Sequence, residues 1–366
     1  MKLQLLALSV IAGLAVGCGK SDVESTGDGS NVLEAWKPHD APINLDSSFA
    51  RNINDLPSSA TLASQPWPDT YWPSYEGGIS SRWNSSNPQP FAYVPPTLAQ
   101  LRSMSPDQLM ELSPAEKFDI LRGDYNYSLV QSERSRTSPS DESWEGICHG
   151  WAPASTLYAE PQPVVLSNAE GISIPFGAAD VKAMLSYYQG QVAQAPTQFL
   201  GLRCNIKIED YNSARANEDD CKGVNAGAFH IVLANQIGIK NQSFIADVTR
   251  DFQVWNHPIS GFTSTIQSKA DISPTAAPGT VRELKVQTKM FYVVESNAQW
   301  SSLVASDYTT TRTYEYTLEL NDSGEIIGGE WLQVDRPDFL WNQQRVPFGR
   351  GFEALEKLYE ASTARN

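Results

Sequence analysis

Residues 141–158 read DESWEGICHGWAPASTLY, and the reading of this stretch decides the fold. Pro153 fits a helix best in its first turn, where its missing N–H has no partner to lose. With ASTLYAE helical and Pro161 behind it, the helix is expected to begin near His149 or Gly150. That places Cys148 at a helix N-terminus, where unpaired N–H groups and the macrodipole favour negative charge. Such a setting lowers a thiol's pKa and offers backbone donors to an oxyanion. The competing reading is a buried, inert cysteine.

The rest of the chain bounds what this thiol can serve. With 366 residues, 41% of them hydrophobic, one large core or two modest ones can be buried. The opening MKLQLLALSVIAGLAVGC has Lys2, a short apolar run and small residues before Cys18, the layout of a secretory signal over residues 1–17. The run is too short for a stable bilayer span. Ala15-Val16-Gly17-Cys18 resembles a bacterial lipobox, with alanine where leucine usually stands, so Cys18 is expected to carry lipid. Residues 18–62 then read as tether and linker, and 63–366 as the working domain with a β-rich C-terminal part. Gly19 resembles the second residue of cargo sorted to an outer membrane. The expected location is outside the cytoplasm, on an outer membrane or cell surface through the lipid anchor alone. An ordinary signal with an incidental cysteine would instead give a secreted protein.

Export shapes the reading of the other cysteines, because unpaired thiols are captured in an oxidising compartment. Cys204 and Cys221 flank a polar segment without clear periodicity, which gains order if its ends are tied; a disulfide is expected there. Cys148 is then left over. The net charge of −15, from Lys+Arg 27 against Asp+Glu 42, argues against a nucleic-acid partner and suits substrates carrying lysine amines, although it also serves solubility.

Along the chain, residues 64–96 are dense in Trp, Tyr and Pro and read as an extended segment lying over the core. TLAQLRSM and SPAEKFDILRG read as short helices, the second with Ser113, Pro114, Glu116 and Gly123 as start and stop signals. FGAADVKAMLSYYQG is a further helix. From about residue 228, AFHIVLANQIG, QSFIADVTR, ELKVQTKMFYVVES and TYEYTLEL read as strands, with Asn321-Asp322-Ser323-Gly324 as a hairpin turn. Helices first and an antiparallel sheet following give an α+β class.

A thiol nucleophile needs a base, and the chain has four histidines. His39 lies in the linker, His149 is read as a local packing or capping group, and His257 falls in a Trp- and Pro-rich loop. His230, on an expected strand, and Asp247, on the next, complete a Cys-His-Asp arrangement, with Asp251 as the fallback acid. A lone histidine in an apolar strand is more often a satisfied core residue. Trp144, Trp151 and Trp255 are candidates to wall off water and line a substrate channel, or else ordinary core.

CHGWAPA, NAGAFHIVLANQIG and FQVWNHPISGF together resemble the oomycete elicitor transglutaminases and their bacterial relatives. Residues 252–262 are similar to that family's surface peptide VWNQPVRGF, matching it at Val254, Trp255, Asn256, Pro258, Gly261 and Phe262 and departing at His257, Ile259 and Ser260. GGEW at 328–331 and RPDFLW at 336–341 also fit. The resemblance implies a papain-like, transglutaminase-like cysteine acyltransferase core with Cys148 as nucleophile. It also implies a protein-glutamine γ-glutamyltransferase joining glutamine to lysine or other amines on protein substrates, with no cofactor required. Calcium enters only as a possibility from the family, since no ligand loop of the DxDxDG kind is present. A cysteine peptidase or glutamine deamidase with the same triad is the nearest alternative. A surface lipoprotein binding a partner through the Trp255–Pro258 loop, with the triad silent, is the other.

Overall fold

Side-chain caps set the helices of the first half. In the computed structural model, which describes residues 34–206, 221–250 and 252–364, three short helices start alike: α1 (Leu98–Leu101), α2 (Pro106–Met110) and α3 (Pro114–Arg122). Thr97, Ser105 and Ser113 each accept from a first-turn N–H, and Gln100, Gln108 and Glu116 each return a bond to the cap backbone. Gly123, at φ 73°, ends α3 in the left-handed conformation that glycine adopts without strain. Next come α4 (Ser128–Arg136), α5 (Cys148–Leu157), α6 (Ala178–Tyr187) and α7 (Ala226–Leu233), with α8 (Ala354–Thr363) closing the chain. π-Helical turns over Tyr188–Val192 and Ala234–Ile239 extend α6 and α7.

The strands are β1 (Ser59–Thr61), β2 (Val164–Ser167), β3 (Ser173–Phe176), β4 (Thr197–Gly201), β5 (Ile245–Asp247), β6 (Asn256–Ala270), β7 (Arg282–Val293), β8 (Thr309–Leu320), β9 (Ile326–Gly328) and β10 (Phe339–Gln343). β2 and β3 make a separate hairpin, and the main sheet runs β4-β10-β5-β6-β7-β8-β9 with β1 also on β6. Every pairing in it is antiparallel. β6 therefore carries β5 at its first residues (Asp247↔Asn256) and β1 further on (Ser59↔Thr263), with β7 on its other side. The expected turn joins β8 to β9, closed by a Gly324 N–H to Asn321 carbonyl bond of 3.0 Å. The α+β class holds.

Two apolar clusters form the interior. One joins α3, α5, α6 and α8 to the aromatic segment, whose Trp67 and Trp72 are buried beneath them. The other packs α7 on the inner face of the sheet. Two expectations are corrected here. AFHIVLANQIG is helical, because Ala226, Phe229, Val232 and Leu233 also satisfy a 3.6-residue period and Asn225 caps Gly227 and Ala228 N–H. Part of the expected linker is structural, since Leu45, Phe49 and Leu62 are buried in the second cluster. Residues 1–33, which include the expected signal segment and Cys18, lie outside the described residues.

Cys204 and Cys221 are bonded to each other across a separation of 17 residues. Converting both to serine is expected to lower unfolding free energy by roughly 3 kcal/mol on the chain-entropy account. Urea unfolding checks this, and an unchanged midpoint would contradict it.

Candidate active site

Helix α5 begins one residue earlier than its proline suggests: Cys148 is its first residue, Ile147 the cap, and Pro153 lies inside it. The aromatic segment holds this end. Ile147 N–H donates to the Tyr71 carbonyl at 2.7 Å, and a Cβ on Gly146 would stand 2.4 Å from that oxygen. Gly150 is required by the close crossing on α6, where a Cβ would meet the Ser186 carbonyl at 2.1 Å. Trp151 is fully buried, its Nε1 donating to the Trp67 carbonyl at 3.2 Å. Cys148 is thereby fixed as the leading residue of a rigid helix.

Opposite it lies the chain entering β6. The Cys148 thiol reaches the Val254 carbonyl at 3.6 Å, and Asn256 Nδ2 donates to Sγ at 3.6 Å. Asn256 is itself fixed, its Oδ1 accepting from Trp341 Nε1 at 2.8 Å. Asp247, fully buried on β5, accepts from Trp255 N–H at 3.3 Å and so holds the Val254–Asn256 stretch against the thiol. His257 follows on β6 and packs edge-on against Trp151, one turn along α5 from Cys148, with ring centroids 6.3 Å apart. Its Nδ1 lies 3.1 Å from the Val293 carbonyl. A carbonyl only accepts, so Nδ1 carries the proton and Nε2 the lone pair. Glu295 Oε1 stands 3.8 Å from the same Nδ1.

Burial governs the titration of all three groups. It pushes the Cys148 thiol up to about 11; hydrogen bonds from Asn256 pull the other way, and the charges of Glu295 and Asp247 add to the rise. The lowered thiol pKa expected from the helix terminus is therefore corrected: loss of water outweighs it. Burial likewise lowers His257 to about 4 and raises Glu295 to about 7. At neutral pH the resting pair is thiol and neutral imidazole. Since the thiolate is the species alkylated, iodoacetamide labelling of Cys148 is expected to be slow at pH 7 and to rise about tenfold per pH unit up to about pH 10. A plateau reached below pH 8 would contradict this.

His230 is placed differently from its expectation. It sits on helix α7, not on a strand beside the thiol, and its Nδ1 meets the Tyr316 hydroxyl at 2.7 Å within the sheet-side interior. No hydrogen bond or ring contact joins His230 to Cys148 or Asp247 among the described residues. Asp251 lies outside them. His149 meets Gln191 at 2.9 Å, in keeping with a local role. Of the three tryptophans, Trp151 is core, whereas half-buried Trp144 and Trp255 sit edge-on to Phe252 and Tyr71 at 5.7 and 5.4 Å. Of the expected surface peptide 252–262, residues 256–262 are buried strand, whereas Phe252, Val254 and Trp255 are half-buried and Gln253 is exposed. Sequence reasoning named Asn256 and His257 but gave neither a role at the thiol, and it did not name Glu295. Pro258 is the cause for the first two, because proline argues against a strand; the β6–β7 pairs begin only at Ile259, so Pro258 precedes that ladder. Among the described residues no group of three or more His, Cys, Asp or Glu is arranged to hold a metal ion, so no step is derived through calcium.

Cys148 at the head of α5, held against the entry to β6, with His257 next on that strand and packed on Trp151 of the same helix, makes this the candidate active site. The chain belongs to the transglutaminase elicitor family, whose model matches residues 43–98 and 132–350. A solved structure, the GP42 transglutaminase from Phytophthora sojae, is similar in fold, with a TM-score of 0.68 at 22% identity over 90% of this chain and 99% of that one. No curated protein matches this sequence.

Proposed function

We propose that this protein is a protein-glutamine γ-glutamyltransferase in which Cys148 is the nucleophile and His257 the base. The observation that carries the reading is the placement of Cys148 at the first position of α5, with the Asn256 amide on its sulfur and His257 next on the same strand. Family membership supports the reaction class.

The protonation states set the mechanism. As Sγ attacks the glutamine side-chain carbonyl carbon, its proton passes to His257 Nε2, so no thiolate need exist at rest. The Cys148 and His149 N–H groups, ahead of Gly150 and Trp151 N–H that already donate to the Ile147 carbonyl, are the donors for the oxyanion. The imidazolium returns its proton to the departing nitrogen, the C–N bond breaks, and ammonia leaves behind a thioester. A lysine amine then attacks the thioester, gives a proton to Nε2, and the sulfur leaves with that proton as the isopeptide bond forms. The Val293 carbonyl holds the Nδ1–H tautomer, and Glu295 steadies the transient cation. Asp247 acts as a positioning residue through Trp255 N–H rather than on the imidazole. Trp144 and Trp255, with Tyr71, are suited to limit water at the thioester, as transfer to an amine demands.

Incubation with a glutamine-bearing protein and a fluorescent primary amine tests the reading. Covalent label and released ammonia are expected, with amide replacing hydrolysed glutamate as amine concentration rises. Ammonia without label at any amine concentration would assign a deamidase, and backbone cleavage a peptidase.

A further inference from the structure

The far end of α5 borders a cleft that the acyl-transfer reading does not use. Its volume is about 590 Å³, within the range of ligand sites, and its walls come from the chain on both sides of β1, the C-terminal turn of α5, β4, the π-helical turn after α7 and β10. Carboxamides dominate it: Gln65, Gln198, Gln236, Gln242, Asn342 and Gln343 all line it. Its charged lining residues are two acids, Asp46 and Glu160, and two bases, Lys240 and Arg345, so their formal charges cancel. Asp46 is ion-paired with Lys240, and Glu160 with Lys182 at 2.7 Å. Arg345 lies over the Tyr158 ring, 4.7 Å from its centroid, so the cleft presents no cluster of one sign.

One group is left waiting for a partner. Gln236 is 4% exposed, and its Oε1 makes no hydrogen bond. A buried acceptor without a donor is costly, and a ligand hydroxyl would satisfy it. Each carboxamide both donates and accepts, which matches hydroxyls that do the same. These carboxamides come from four separate segments, rather than one open strand edge of the kind a peptide adds to. We infer that this cleft binds a neutral oligosaccharide, independently of the acyl-transfer chemistry at the other end of α5.

The test uses Cys148→Ala protein, so that failure of the enzyme reading leaves it intact. Uncharged hexasaccharides of glucose, mannose and N-acetylglucosamine are titrated calorimetrically beside an uncharged Ser/Gly/Asn hexapeptide. At least one saccharide is expected to bind with a Kd below about 1 mM, and Gln236→Met to weaken it about tenfold, the effect of one lost hydrogen bond. Gln198→Ala, at a half-buried strand position, is expected to weaken it similarly and guards against a Gln236 variant that fails to fold. No saccharide binding, binding of the peptide alone, or affinity unchanged in both variants would overturn the inference.

Discussion

His257→Ala is expected to lower amine incorporation by roughly 10²–10⁴-fold, the range for loss of a general base. The effect should be large because the resting sulfur is a thiol. With burial holding Cys148 near 11, very little thiolate exists at pH 7, and attack needs a group that removes the proton as the bond forms. His257 has the means: a neutral ring, a lone pair on Nε2 and a carbonyl that fixes the tautomer. The paired control is His230→Ala. Its ring bonds Tyr316 in the sheet-side interior, so the cost should fall on stability while specific activity stays within a few-fold. Steady-state rates on folded protein, with thermal melts alongside, check both. An inactive His230→Ala together with an active His257→Ala would restore the Cys148-His230-Asp247 assignment and contradict the one drawn from the structure.

Cys148→Ala is expected to abolish both labelling and ammonia release, because without the sulfur no thioester forms. The fold should survive. Cys148 is a small residue at the start of α5, and the helix is held there by the Tyr71 carbonyl and the Gly150 crossing rather than by the thiol. Circular dichroism should match the wild type. Label transfer by folded Cys148→Ala protein would rule this thiol out as the nucleophile.

The residues that told most from sequence were those whose role is local. The Ser113–Glu116 capping box, the Gly123 stop, the Asn321–Gly324 turn and the helix around Cys148 each depend on neighbours a few positions away. The Cys204–Cys221 pairing was also legible, since the expected export left few other uses for two thiols flanking a polar segment. What failed was non-local. NAGAFHIVL is apolar enough to satisfy both strand and helix patterns, and residues 226–233 are buried on every side of the helix, so exposure marks no face by which to choose. His230 was placed on a strand with it, whereas it lies on α7 beside Tyr316. His257 was set aside because Trp255 and Pro258 gave its surroundings the composition of a loop, whereas pairing with β5 makes it strand. Glu295 lies beyond β7, and only the β6–β7 register brings it to the imidazole. The thiol's raised pKa was invisible for the same reason: helix-terminus effects can be read from sequence, but the depth of burial cannot.

The most direct measurement is the mass of the enzyme itself. Wild-type protein mixed with a glutamine peptide in the absence of amine, quenched in acid and digested, should yield the Cys148 peptide carrying the acyl group of the substrate with ammonia lost. Adding a primary amine before the quench should clear that adduct and produce the amide. An acyl group found on any other residue, or amide product formed with no adduct on Cys148 at any quench time, would contradict the account.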